Sequence, residues 1–403
     1  MDINSLPVEA FLEILTNTDG LTLGKCRRVC KKWRDIIDGT DVLWQAMCRK
    51  ECKYPARIAK KKAGNECKWY HIYKNMKNWA KVTSFERKVR EFYKFSLHDK
   101  NHALEIDSNI LPLRDTNGVV LYDMNTLKYI PVTVPERKCS KIANNNNVTV
   151  IMLKTDLFVQ RTVDNGTFMT EVVFKADNFL LHGDILFFYN NRDVYKCDLI
   201  YQNLLADLIL HCDFDIKEIQ YNDGVLHIFT DCGQIVNVTN DKKVSVQPIK
   251  IPKEWIKQIK YVSAINDRNF VCYSRNLFKI ETDNYEHLYL DFPPITALFF
   301  YGDITLIGTK DGEILLYRLA DQKRAVKPKF EVLGTLPDGK FAVQLDVCER
   351  KTGPVIVAST FFEIMLLEIN FFPHEKETKS SYPMNKLLMY KRLLKLRERL
   401  QHQ

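Results

Sequence analysis

Between residues 109 and 370 one unit recurs seven times: two short β-branched or aromatic runs joined by a polar turn. The copies are NILPLRDTNGVVLYDMNTLK, NVTVIMLKTDLFVQRTVDN, GDILFFYNNRDVYKCDL, GVLHIFTDCGQIVNVTN, RNFVCYSRNLFKIETDN, GDITLIGTKDGEILLYRL and PVIVASTFFEIMLLEIN. Their first runs begin near Asn109, Asn147, Gly183, Gly224, Arg268, Gly302 and Pro354, in steps of 38, 36, 41, 44, 34 and 52 residues. A pair of short strands cannot bury both of its faces alone, so each copy must stack on the next. Seven copies at roughly forty residues predict a seven-bladed β-propeller of four-stranded blades over residues 80–375. The last copy lacks an outer strand after Asn370, and residues around 80–97 are expected to supply it and close the ring.

The clearest unit, residues 295–323, reads as strand, turn, strand, tight Asp311-Gly312 turn, strand. Its 302–320 portion is similar to a WD repeat, with Leu316-Tyr317 where Leu-Trp would stand, and Leu121-Tyr122-Asp123 is closer still. The Gly-His and Trp-Asp pairs of that family are otherwise absent, so the period supports a divergent propeller and membership of the WD family is only suggested.

The first 79 residues follow a helical period instead. In SLPVEAFLEIL, Ser5 is expected to cap a helix from Leu6 to Thr16, with Pro7 in its first turn and Glu9 and Glu13 at the positive end of its dipole. In LTLGKCRRVCKKWRDIID, Leu23, Cys26, Cys30, Trp33 and Ile37 recur at steps of 3, 4, 3 and 4 and predict one continuous apolar stripe. Thr40 is read as the cap of a third helix that turns Leu43, Trp44 and Met47 inward. About forty-five residues make a core at the limit of independent stability, so the first helix must find another surface to cover. Residues 53–79 form a connector with a stripe of Trp69, Ile72, Tyr73 and Met76 ending near Trp79, and Lys60-Lys61-Lys62 within it is expected to be a solvated loop.

Residues 4–51 resemble the F-box motif: Leu6-Pro7-x-Glu9, the apolar run to Leu15, Leu23, Val29-Cys30-x-x-Trp33 and Leu43-Trp44 stand at the expected distances. One departure is Gly24 in the first turn of helix 2, which loosens it by about 1 kcal/mol relative to Ala. The resemblance implies a helical bundle, residues 1–52, that docks on the Skp adaptor of cullin-based SCF ubiquitin ligases. It places Leu6, Pro7, Glu9, Leu12 and Leu15 in the adaptor interface, with Val29 and Trp33 nearby. Through the adaptor the chain would meet the cullin and RING ligase core. The competing reading makes the same residues a self-contained cap packed on the next domain.

The chain is 46% hydrophobic and 27% charged, which suits a large buried core. Its net charge of +9 is unevenly placed: residues 1–81 carry 17 Lys and Arg against 9 Asp and Glu, 386–403 carry 6 against 1, and 82–385 carry 36 against 40. The −4 of the middle argues against nucleic-acid binding by the propeller. No run of eighteen apolar residues predicts a membrane span, and the N-terminus does not read as a targeting peptide, so a cytoplasmic or nuclear location is expected. Eleven scattered cysteines read as reduced thiols. Cys26-x3-Cys30 and Cys48-x3-Cys52 have the look of a zinc site, but i, i+4 pairs on apolar helical stripes are explained by core packing, and no metal or other cofactor is expected.

No catalytic motif stands in the chain, which is read as a non-enzyme. In WD-like blades the turns between second and third strands share one rim. Here those turns carry Arg114-Asp115, Asn191-Arg192, Ser274-Arg275 and Lys310-Asp311. Arg114, Arg192, Arg275 and Lys310 on one annulus would hold an acidic or phosphorylated peptide. The plainer reading is that turn residues are polar because turns are solvated, with adjacent Asp and Asn diluting the field. The tail, residues 376–403, aligns Met389, Leu393, Leu396 and Leu400 on one face of a basic amphipathic helix, expected to pack on the propeller or connector rather than on a membrane. Two functions remain: a ligase substrate receptor, and a propeller scaffold whose helical cap is structural.

Overall fold

A computed structural model describes residues 6–370 apart from 65–66, 96–105, 107–108, 116–117, 135–139, 146–147, 163–167, 223, 260, 265–269, 275, 282–285, 290–291, 302–303 and 319–328. The expected C-terminal helix, residues 376–403, lies outside the described residues, as does Ser5.

Six helices open the chain: α1 (Val8–Thr16), α2 (Gly20–Cys26), α3 (Lys31–Gly39), α4 (Asp41–Glu51), α5 (Lys53–Ala63) and α6 (Trp69–Trp79). Three details depart from the sequence reading. The first helix begins at Val8, with Pro7 as its N-terminal cap residue and no side-chain cap bond. The stripe from Leu23 to Ile37 is broken, because Cys30 is extended (φ −153°, ψ 171°) and its sulfur accepts the Trp33 amide, which starts α3 anew. Thr40 precedes α4, but its hydroxyl donates to the Ile36 carbonyl instead of capping it.

Strand β1 (Glu86–Lys94) follows, and the later described strands, up to Asn370, form antiparallel sheets in sequence order. A three-stranded sheet comes first: β2 (Ile110–Asp115), β3 (Gly118–Asp123) and β4 (Lys128–Val134). Next is a blade of β5 (Lys141–Asn144), β6 (Val148–Leu153), β7 (Asp156–Thr162) and β8 (Phe168–Lys175), then one of β9 (Asn178–His182), β10 (Ile185–Asn190), β11 (Asp193–Asp198) and β12 (Ala206–His211). Strands β13 (Ile216–Asn222), β14 (Val225–Thr230), β15 (Gln234–Thr239) and β16 (Val244–Pro248) make another, joined by the short helix α7 (Lys253–Ile256) to β17 (Tyr261–Ala264), β18 (Phe270–Tyr273), β19 (Phe278–Glu281) and β20 (Glu286–Tyr289). Then come β21 (Ile295–Tyr301), β22 (Ile304–Thr309), β23 (Glu313–Arg318) and β24 (Phe330–Thr335), and finally β25 (Gln344–Arg350), β26 (Gly353–Ser359) and β27 (Glu363–Asn370).

β1 pairs antiparallel with β27, from Glu86 opposite Asn370 to Lys94 opposite Glu363, so the N-terminal side of the propeller completes its last blade. Each end of the ring thereby holds the other. The expectation of seven blades needs correction: six sheets are four-stranded blades, and the β2–β4 sheet has three strands among the described residues. Its repeat is present in sequence, but residues 96–105 before it lie outside the described residues.

The first strands of the β5–β8 to β17–β20 blades lie side by side around the axis. Polar side chains tie them together: Lys141 donates to Asn178 and to the Phe179 carbonyl, Asn178 to Glu218, Gln220 to the Val262 carbonyl, and Ser263 to Gln220. Apolar side chains fill the spaces between sheets, for example Leu111 and Leu113 against Val355, Val357, Ile364 and Leu366. The Asp311-Gly312 turn needs its glycine, since Gly312 has φ +85° and a Cβ there would stand 2.4 Å from the Lys340 carbonyl oxygen.

The helices and the propeller share one core. Phe11, Leu15, Leu23, Ile37, Trp44 and Met47 run through Ala59, Ile72, Met76 and Trp79 into Leu306, Leu316, Leu345 and Ile356 without a break. Lys60-Lys61-Lys62 is therefore no solvated loop. It is the last turn of α5, and Lys62 is buried in an ion pair with Asp346 on β25 (2.8 Å).

Candidate functional site

Two surfaces carry the residues that the sequence singles out: the outer face of the N-terminal helices and the propeller rim away from them. On α1, Phe11 and Leu15 turn inward, and Phe11 meets the Trp33 ring at 4.7 Å. At 100° per residue Val8 and Ile14 border that stripe, and both are exposed. Leu21 on α2, Val29 in the α2–α3 link and Val42 on α4 are exposed as well. Five large apolar side chains within residues 8–42 are thus left to water by helices whose other faces are well packed.

The scaffold behind them is stiff. Asp19 caps α2, accepting the Thr22 amide (2.7 Å) and hydroxyl (2.9 Å), and these bonds hold its carboxyl below the usual range. Gly20 lies against the Tyr73 ring, where an added Cβ would sit 2.3 Å from ring atoms. Glu51 accepts from the Gly20 amide, the Tyr73 hydroxyl and Lys77, each at 2.8 Å. Burial raises its carboxyl, but these partners together outweigh burial and the net shift is downward. Arg27 grips Asp38 (2.9 Å) and stacks over Tyr70 at 4.3 Å, joining the α2–α3 link to α6. The Asp38 bond raises the Arg27 guanidinium still further.

α5 and α6 fasten this assembly to one rim of the ring. Glu349, at the end of β25, accepts bonds from the indole of Trp79 (2.8 Å), the amide of Asn75 (2.6 Å) and the hydroxyl of Tyr301 (2.5 Å). Complete burial pushes its carboxyl up to about 7, with the three donors holding it from going higher. Asn109 adds bonds to the Ala63 and Glu349 carbonyls, and Arg318 reaches the Trp79 carbonyl. Across the ring, Lys61 donates to the Leu181 carbonyl on β9 (3.2 Å), so α5 crosses the mouth of the axial opening. His182 at that point is pushed down to about 4, chiefly by burial and then by Lys61 and Arg57.

The sequence-derived adaptor residues are now placed. Pro7, Glu9 and Val29 are exposed; Leu6, Leu12 and Trp33 are half-buried, the last two against the chain's own core. Leu15 is 2% exposed and is spent inside the chain, so it offers nothing to a partner in this arrangement. Val8, Ile14, Leu21 and Val42, which the motif does not single out, are exposed on the same helices, Val8 and Ile14 at the borders of the buried stripe of α1.

The cysteines suspected of a metal role have structural ones. Cys30 starts α3, and Cys48 is buried, its thiol pushed up to about 12 by burial. Among the described residues no group of three or more His, Cys, Asp or Glu side chains is placed to hold a metal ion.

The turns between second and third strands open on the rim opposite the helices. Of the four cations expected there, Arg192 and Lys310 are described and exposed, Arg275 lies outside the described residues, and so does the side chain of Arg114. Arg192 does not face a free annulus: its guanidinium bonds Asp215 (2.8 Å) and the Asp213 carbonyl (3.1 Å), and the Asp215 bond raises it further. Acidic neighbours at that turn agree with the plainer reading of a solvated, locally neutralised turn. The same rim carries an unforeseen aromatic group, Phe361 and Phe362, both exposed, with Phe341 edge-on to Phe361 at 5.7 Å.

Comparison with known proteins separates the two halves. Residues 3–50 match the F-box-like family. No curated protein sequence matches the chain. Among solved structures it is similar to Hsv2 of Kluyveromyces lactis (15% identity, TM-score 0.45, covering 65% of this chain and 94% of that one). It is also similar to the Cps50 (Swd1) β-propeller domain of Myceliophteria thermophila (8%, 0.49, 70% and 99%) and to the N-terminal domain of Nup159 (9%, 0.49, 71% and 96%). These likenesses are too low to carry an argument, and the propeller rests on the sheets themselves. The chain thus joins an F-box-like domain, residues 3–50, to a β-propeller that its own N-terminal strand completes.

Proposed function

We propose that this chain is the substrate-recognition subunit of an SCF-type ubiquitin ligase, acting in the cytoplasm or nucleus without catalysing a reaction itself. The F-box-like helices would dock the Skp adaptor, and through it the cullin and RING core, while the propeller recruits a protein substrate. One observation carries the reading: the F-box-like helices leave Pro7, Val8, Ile14, Leu21 and Val29 exposed although their inner faces are packed into the chain's continuous core. Large apolar side chains left exposed on a well-packed domain are what a protein partner would cover.

The shared core has a mechanical consequence. Ubiquitin transfer by a partner enzyme requires the substrate at a defined place, and a receptor contributes proximity and orientation. Glu349 and Lys62 fix α6 and α5 on the rim and Arg27 ties the α2–α3 link to α6, so a substrate held on the opposite rim would keep a set position relative to the adaptor. On that rim the exposed Lys310, with Phe361 and Phe362, suits a peptide with acidic or phosphorylated residues beside an apolar anchor.

The test is co-purification of the full chain with a Skp adaptor, repeated after Leu6→Ala and Pro7→Ala together. Recovery of a complex that the double variant loses supports the receptor. Failure of the unaltered chain to bring down the adaptor overturns it and leaves a propeller scaffold with a structural cap.

A further inference from the structure

Among the described residues, the corner between β11 and β12 gathers the largest group of exposed apolar side chains in the propeller. Within nine residues Ile200 is 71% exposed, Tyr201 66%, Leu205 76% and Leu208 56%. Single exposed apolar side chains are ordinary, and the outer strands β8, β16 and β24 show them at scattered positions. Four together, on a corner held by Leu199 and Leu204 beneath, form a patch of the kind that marks an interface. The patch borders β12, whose outer edge pairs with no other strand of its sheet, and such edges are commonly covered by a helix or loop.

We propose that the occupant is the C-terminal segment of the same chain, residues 386–400, laid with its apolar face on Ile200, Tyr201, Leu205 and Leu208. Three observations select it. Charge is the first: residues 178–215 contain six acidic residues against Arg192 and Lys196, a net −4, and residues 386–403 contain six Lys and Arg against Glu398, a net +5. Asp198 and Asp207 flank the patch and would face the lysines of the tail. The basic N-terminal helices, net +8 over residues 1–81, would instead repel it.

Pattern is the second. Met389, Leu393, Leu396 and Leu400 recur at helical spacing, and an amphipathic segment read this way seats its apolar stripe in an apolar surface. The third is where the described chain ends. β27 leaves its blade at Asn370, opposite Glu86, on the rim that also carries the β11–β12 corner. Residues 371–385 are fifteen in number, and an extended chain of that length reaches ~50 Å, enough to travel along the rim. The docked tail would cover the β12 edge and turn an aggregation-prone corner into packed surface. The inference stands apart from the ligase reading, since neither the adaptor face nor the opposite rim takes part.

Zero-length carbodiimide coupling of the full chain, analysed on the monomer, tests it. The expected products are amides joining Lys386, Lys391 or Lys395 to Asp198 or Asp207. Replacing Leu205→Asp and Leu208→Asp, or in the tail Leu393→Asp and Leu396→Asp, should lower their yield at least tenfold, and the first pair should move the unfolding midpoint little, because Leu205 and Leu208 lie outside the core. Couplings from the tail spread over other blades, or found only between two copies, would overturn the proposal, as would a yield unaffected by either pair of substitutions.

Discussion

Replacing Lys62 with Met strikes the joint between helices and propeller. The Lys62 ammonium lies 2.8 Å and 3.0 Å from the two oxygens of Asp346 and 5.2 Å from the Phe299 ring centre. Asp346 is buried and also accepts from the amides of Ile106 (2.7 Å) and Val347 (2.6 Å). Met keeps most of the stem's volume, so the cost is mainly that of a buried carboxylate left without its cation, about 3–5 kcal/mol. Burial already raises the Asp346 carboxyl, with Lys62 opposing that, and removing Lys62 raises it further. A carboxyl raised in the folded state gives stability at pH below its unfolded pKa of about 3.9 and loses it as pH climbs through the folded value. The deficit of Lys62→Met should therefore be smallest near pH 4 and largest near pH 7. Urea unfolding followed by tryptophan fluorescence measures it, because Trp44 and Trp79 sit in the same core. The double variant with Asp346→Asn should recover part of the loss. A loss under about 0.5 kcal/mol at pH 7, the size of an ordinary surface change, would show that Lys62 is solvated and refute the reasoning.

Three further outcomes are expected. Glu349, raised to about 7, gives stability that is present below its ordinary value of 4.5 and is lost as pH rises to about 7, on the order of 3 kcal/mol; Glu349→Gln should flatten the thermal midpoint between pH 5 and 8. Gly20→Ala drives a methyl into Tyr73 and should cost about 1–3 kcal/mol, seen in the same urea unfolding. Replacing Lys310 with Ala should weaken capture of an acidic or phosphorylated peptide severalfold while altering stability by less than about 0.5 kcal/mol, because Lys310 is exposed.

Much of this architecture is legible in the sequence because it is local and repeated. Strand pairs at forty-residue steps, the Asp311-Gly312 turn and the missing outer strand after Asn370 lead to the sheets and to closure by residues 86–94. What the sequence hides is pairing over distance. Lys60-Lys61-Lys62 looks solvated by composition, and nothing nearby announces that Asp346, 284 positions later, takes Lys62 inside. Likewise the apolar period from Leu23 to Ile37 is unbroken, and only the backbone at Cys30 divides it. The proposed adaptor face is half legible for a related reason: a helical stripe tells which residues are apolar but not which side the chain keeps. Leu15 goes inward to meet the chain's own core, and Val8 and Ile14 at the stripe's borders stay out.

The central claim is that these outward residues exist for another protein. Titration calorimetry of the full chain against a purified Skp adaptor puts it to the test with the pair Val8→Asp and Ile14→Asp, which lie outside the packed interior. Saturable binding of the unaltered chain, weakened at least a hundredfold by the pair with unchanged thermal unfolding, is the predicted result. Absence of binding by the unaltered chain, or equal binding by the pair, would contradict it.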